Sequence, residues 1–124
     1  MKPGSVFRGL SNKSCIDRTR APHSVTARAF LRKEKDIDGL SVFDNEDSCR
    51  KLNIYGIAEV ATEEVERFEN PVDGLQLAVR YNDPEDPCHL VIENLPFHHL
   101  HEQKAELLGG NLARMAILLW EKLG

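Results

Sequence analysis

The stretch Phe97-His98-His99-Leu100-His101-Glu102 gathers three imidazoles and a carboxylate within five positions. Such nitrogen and oxygen donors suit a transition metal. His98, His99 and His101 are therefore the metal-ligating candidates. Cys88 and His89 would add a sulfur and a nitrogen from the segment before them. The spacing departs from the established zinc patterns, because no HExxH or CxxC pair occurs. Adjacent His98 and His99 also point in different directions. The plain alternative is a set of exposed histidines leading into a helix, and no cofactor is expected.

A second constellation is Arg28, Arg32, Ser41 and His89. If the segments around Phe30 and Val42 pair as strands, these side chains converge on one cleft, with His89 supplied by a later strand. Guanidinium, imidazole and hydroxyl groups together suit a phosphate or another acidic ligand. A serine and a histidine far apart in sequence also form nucleophilic sites. No G-x-S-x-G surrounds Ser41, so the hydrolase elbow is missing. The alternative is that Ser41 satisfies a turn and His89 is a half-buried strand residue.

Cys88 next to His89 does not make a thiolate pair, since neighbouring strand residues face opposite ways. The acids Asp83, Glu85 and Asp86 lack the spacing of a calcium loop and read as solvated charge. Cys15, Cys49 and Cys88 are odd in number and widely spaced, which argues against a disulfide framework. No apolar core of signal-peptide length marks the N-terminus, so a cytoplasmic location is expected.

The elements that must position these groups are read from periodicity. Residues 1–24 are rich in Gly, Ser and Pro and read as an irregular basic arm, leaving residues 25–124 as one domain. Residues 25–31 alternate apart from Phe30 and suggest a short strand. Leu40-Ser41-Val42-Phe43 follows the Asp38-Gly39 turn as another strand. Asp44 or Asn45 would cap a short helix with Cys49 and Leu52 inward. Residues 56–61 fit strand or helix, and Thr62 reads as the N-cap of a helix burying Val65 and Phe68.

Residues 74–81 and 88–93 are the best strands, joined by an acidic proline-containing loop. From Leu107 to Trp120 apolar residues recur at helical intervals, interrupted by Gly109-Gly110-Asn111. Each glycine costs a helix interior about 1 kcal/mol. Either the helix breaks there or the glycines allow close packing. The expected fold is α+β: a mainly antiparallel sheet of about four strands packed on the C-terminal helix. Leu108, Leu112, Met115, Leu119 and Trp120 should then meet Leu75, Leu77, Val79, Leu90 and Ile92.

The chain has 124 residues and a net charge of −4, enough for one core. No window has the length of apolar sequence that a membrane span needs. The average charge conceals a division. Residues 1–35 hold nine bases and two acids, for a net +7, and the remainder holds seven bases and 18 acids, for −11. A basic segment of this kind contacts a polyanion, a protein partner or its own acidic body. The arm over residues 1–24 has a single aromatic, Phe7, which offers little for base stacking, so nucleic acid is possible but not favoured.

Ala29-Phe30, Asp38-Gly39-Leu40-Ser41-Val42 and Pro87-Cys88-His89-Leu90-Val91-Ile92 together resemble a pattern in small bacterial proteins of uncharacterised function. The resemblance spans residues 24–93. It implies that Phe30, Ser41 and His89 share one surface, and it implies no activity or ligand.

Three classes of function follow. The leading one is a small interaction or adaptor protein whose basic arm meets an acidic surface, on a protein partner or on a second copy of the chain. The second is a small enzyme or anionic-ligand binder with a cleft around Arg28, Ser41 and His89. The third is a weak binder of nucleic-acid phosphates.

Overall fold

Short apolar and alternating segments build a six-stranded sheet in a computed structural model, which describes residues 2–123. In chain order the strands are β1 (Ser5–Leu10), β2 (Ile16–Asp17), β3 (Ser24–Val25), β4 (Leu40–Phe43), β5 (Gly56–Ala61), β6 (Ala78–Tyr81), β7 (His89–Glu93) and β8 (Ile117–Glu121). The helices are α1 (Glu46–Arg50), α2 (Thr62–Glu66) and α3 (Glu102–Met115). The sheet runs β6-β7-β4-β1-β5-β8 with every neighbour antiparallel, while β2 and β3 form a separate ribbon. The class is the α+β one expected, with six strands in the main sheet where about four were expected.

The basic arm departs most from expectation. Ser5–Leu10 is an inner strand, paired with β4 on one side and β5 on the other. Val6 and Leu10 are buried at period two. Arg8 sits between them and Gly9 follows, so the apolar signal of this strand is diluted in sequence. The arm is docked on its own chain. Lys2 Nζ lies 2.5 Å from Glu66, Arg18 Nε 3.3 Å from Glu121, and His23 Nδ1 2.8 Å from the same carboxylate.

Residues 25–31 are not a strand beyond Val25. Ala27–Phe30 form a 3-10 turn, begun by an Ala29 N–H bond to Thr26 O at 3.1 Å. Phe30, the residue that spoiled the alternation, is only 1% exposed in the core. Asn45 does cap α1, its Oδ1 accepting from Ser48 N–H at 2.8 Å, and Cys49 points inward. Leu52 points outward. Thr62 lies inside α2, where its hydroxyl donates to Pro3 O at 2.7 Å. Residues 74–77 precede β6 rather than join it, and Leu75 is exposed.

The C-terminal helix runs through both glycines and stops at Met115. Gly109 permits this packing: a Cβ there would lie 2.8 Å from Ala27 O. Beyond Met115 the apolar run Ile117–Glu121 pairs with β5 as the edge strand β8. Leu108 and Leu112 join Leu77, Val79, Leu90 and Ile92 in the main core as expected. Trp120 does not. It packs with Phe7, Phe43, Cys49, Ile54 and Ile57 in a smaller cluster that covers part of the other sheet face. Among the described residues no helix is long and apolar enough to cross a membrane.

Candidate functional site

Sheet register brings Ser41 and His89 together. Ser41 pairs with Val91 and Phe43 with His89, which puts Ser41 and His89 on one diagonal of the same face. His89 Nε2 lies 3.0 Å from Ser41 Oγ. Its Nδ1 lies 2.7 Å from Asn82 Oδ1. Asn82 directly follows β6, whose Tyr81 is opposite Leu90, and so reaches His89 from the neighbouring strand. Phe43 meets the imidazole edge-on at 5.4 Å and restricts its rotation. The three groups open on a shallow cleft of about 260 Å³ rimmed by Lys35, Asp36, Asp38 and Gly39.

The remaining members of the expected constellation lie elsewhere. Arg32 is a structural clamp. Its Nε donates to Asp36 O at 2.8 Å, Nη1 to Leu95 O at 3.0 Å and Nη2 to Ile37 O at 2.5 Å, and the guanidinium stacks on Phe97 at 3.9 Å. Every polar edge is committed to backbone, leaving little for a ligand. Phe30 lies in the main core and not on the surface of Ser41 and His89. Arg28 belongs to a different cavity, on the face that Ser41 turns away from.

That cavity is small, about 60 Å³, and largely enclosed. Arg8, Arg28, Lys33 and His98 line it with Ser11, Asn12 and Ser14, and no carboxylate does. Arg8 lies on the core face of β1, between Val6 and Leu10. Its Nε donates to Ala29 O and its Nη1 to Ser41 O, both at 2.9 Å. Nη2 has no hydrogen-bond partner among the described residues. Burial lowers the Arg8 pKa, partly opposed by the field of Asp36, Cys15 and Cys49. Arginine stays protonated nonetheless. The guanidinium is half-buried and its Nη2 is not sealed from solvent, so that edge is open to the cavity.

The histidine run does not converge. His98 Nε2 lies 3.4 Å from Glu106 Oε1, and donor atoms of His98, Glu102 and Glu106 fall within 4.8 Å of one another. His99 instead packs its ring against Phe97, 5.5 Å away, and His101 is exposed just before α3. The helical spacing of Glu102 and Glu106 replaces the expected triple-histidine set. Both glutamates are exposed, and exposed carboxylates gather in this way without a metal.

Arg8 and Asn82 are site residues that motif spacing does not reveal. The alternation Val6, Arg8, Leu10 was the available signal for Arg8. For Asn82 it was the position one residue past the best strand candidate.

No protein-family model matches the chain, and no curated protein or solved structure matches it.

Proposed function

We propose that the protein binds a phosphate-sized oxyanion, free or as the end group of a small metabolite, in the cavity headed by Arg8. The observation that carries this reading is the Arg8 guanidinium, enclosed without a carboxylate partner in a cavity lined by Arg28, Lys33 and His98. Two backbone carbonyls fix the guanidinium plane, so its free edge is held ready for an oxyanion without further ordering. The hydroxyls of Ser11 and Ser14 and the Asn12 amide supply neutral donors. A space of about 60 Å³ takes one tetrahedral group and excludes a nucleobase or a sugar. The rest of such a ligand would have to lie outside it.

The adaptor reading has less support. Lys2, Arg18 and His23, which would meet an acidic partner, already face Glu66 and Glu121 of the same chain. A phosphate-backbone binder would need those charges free as well.

The test is a thermal-shift titration with inorganic phosphate and, separately, ribose 5-phosphate, with chloride holding ionic strength constant. The expected result is a saturable rise in Tm with at least one of the two ligands. The Arg28→Gln/Lys33→Gln double variant should bind at least tenfold more weakly, about 1.4 kcal/mol. Stabilisation by the monoester alone identifies an end-group site. A Tm that follows ionic strength only, whichever anion is present, overturns the reading.

A further inference from the structure

We propose that Ser41 is the nucleophile of an acyl-transfer site on the sheet face opposite the anion cavity, with His89 as its base and Asn82 as the positioning residue. The site does not depend on the anion reading. It rests on the chain Ser41 Oγ to His89 Nε2 at 3.0 Å and His89 Nδ1 to Asn82 Oδ1 at 2.7 Å.

The direction of the two bonds follows from the groups that make them. The amide oxygen of Asn82 only accepts, so His89 Nδ1 must carry the proton and donate it. In the neutral ring Nε2 then holds a lone pair and accepts from the Ser41 hydroxyl. This is the tautomer a general base needs, and a nucleophile, a base and an orienting group linked in series define such a site. The strands set the geometry. Ser41 and His89 stand on adjacent paired strands, and Phe43 packs edge-on against the ring.

The rim is fixed too. Asp36 O accepts from Arg32 Nε at 2.8 Å and from Gly39 N–H at 3.3 Å, and its carboxylate accepts from Lys33 N–H at 2.9 Å. Gly39, at φ +138°, lets this loop lie against β7, where a Cβ would fall 2.5 Å from Ile92 O.

The substrate class is a small carboxylic ester, uncharged or cationic, because Asp36 and Asp38 at the rim disfavour an anionic one. Ser41 Oγ attacks the carbonyl carbon while its proton passes to His89 Nε2. The tetrahedral intermediate collapses, the C–O bond to the alcohol breaks, and the departing oxygen takes that proton. Water then attacks the acyl-serine, gives its proton to Nε2, and the carboxylic acid leaves as Ser41 recovers its hydrogen. Lys35 is among the residues lining the cleft, and its positive charge would favour the oxyanion that develops there.

The experiment uses the full chain in phosphate-free buffer with 4-nitrophenyl acetate, followed by labelling with a fluorophosphonate and peptide mapping. Hydrolysis above the buffer rate and a phosphonyl adduct on Ser41 are expected. Ser41→Ala should remove both while the circular dichroism spectrum is unchanged. Asn82→Leu should lower the rate about tenfold or more and shift its pH profile, and Asn82→Asp should restore it. Absence of label on Ser41 in the folded wild-type chain overturns the proposal without relying on any variant. So does a hydrolysis rate that Ser41→Ala leaves unchanged. Either result would leave phosphate binding at Arg8 untouched, so the two readings fail separately.

Discussion

Arg8 Nη1 donates to the main-chain carbonyl of Ser41 at 2.9 Å. The side chain of Arg8 lies on the core face of the sheet and that of Ser41 on the opposite face, so β4 is the wall between the two proposed sites. The same guanidinium holds Ala29 O, which ties the 3-10 turn under α3 to the sheet. Arg8→Lys keeps the charge but cannot span two carbonyls with a planar fork. It should cost about 1–3 kcal/mol in urea denaturation, the penalty of leaving buried acceptors short of donors. A midpoint equal to wild type would mean that the fork adds nothing to a point charge.

Gly109 and Gly110 should respond oppositely to alanine. A Cβ at Gly109 falls 2.8 Å from Ala27 O and 3.3 Å from Leu31 Cδ2. Gly109→Ala should therefore destabilise by about 1–3 kcal/mol despite its better helix propensity. At Gly110 the nearest atom is Ala27 Cβ at 3.9 Å, an ordinary contact. Gly110→Ala should be neutral or gain up to about 1 kcal/mol. Thermal denaturation of the two single variants checks the ordering, and equal effects would contradict the close approach at Gly109.

Glu66 sets part of the acid limit of stability. Burial alone would raise its pKa, but hydrogen bonds from Lys2 and from Val79 N–H, with the Lys2 charge, outweigh burial and lower it. A lowered folded-state pKa gives stability that is present above the unfolded value and is lost as pH falls through the folded one. Glu66→Gln should therefore be less stable than wild type at neutral pH. The gap should close as pH falls through the lowered folded-state value, where the wild-type carboxylate is itself protonated. A gap independent of pH would assign the loss to packing.

The cysteines should separate by reactivity. Burial pushes the Cys49 thiol up to about 11, with Glu46 adding to the rise and Arg8 opposing it. At pH 8 only about one Cys49 in a thousand is then thiolate. Cys88, half-buried at the end of the acidic loop, should react with a disulfide reagent first. Cys15 and Cys49, both buried, should react fully only after denaturation. Fast labelling of Cys49 in the folded chain would show that α1 opens readily.

Much of this arrangement was legible in the residues. Leu40–Phe43 alternates in burial and His89–Glu93 is a short apolar run between Pro87 and Pro96, and their pairing alone brings Ser41 to His89. What escaped did so for physical reasons. β1 hides because a charged side chain occupies the middle of its buried face, a position that periodicity treats as polar surface. β8 hides because Ile-Leu-Leu-Trp continues the apolar spacing of α3, and only the extended backbone at Ala116 (φ −84°, ψ 151°) ends the helix. A strand over residues 25–31 would set Arg28 beside Ser41. The 3-10 turn sends it to the other side of the sheet.

The position of β1 also bears on how the chain reaches this structure. Val6 pairs with Val60, and Ile57 with Trp120, so the sheet is closed by partners far along the chain. Such pairing incurs a large loop-closure cost before it is rewarded. In synthesis the inner strand precedes its partners β4 and β5, and α3, which roofs the core face, follows them. Until then Val6 and Leu10 have no cover, and folding should proceed on the slow, millisecond-to-second scale of non-local β topologies.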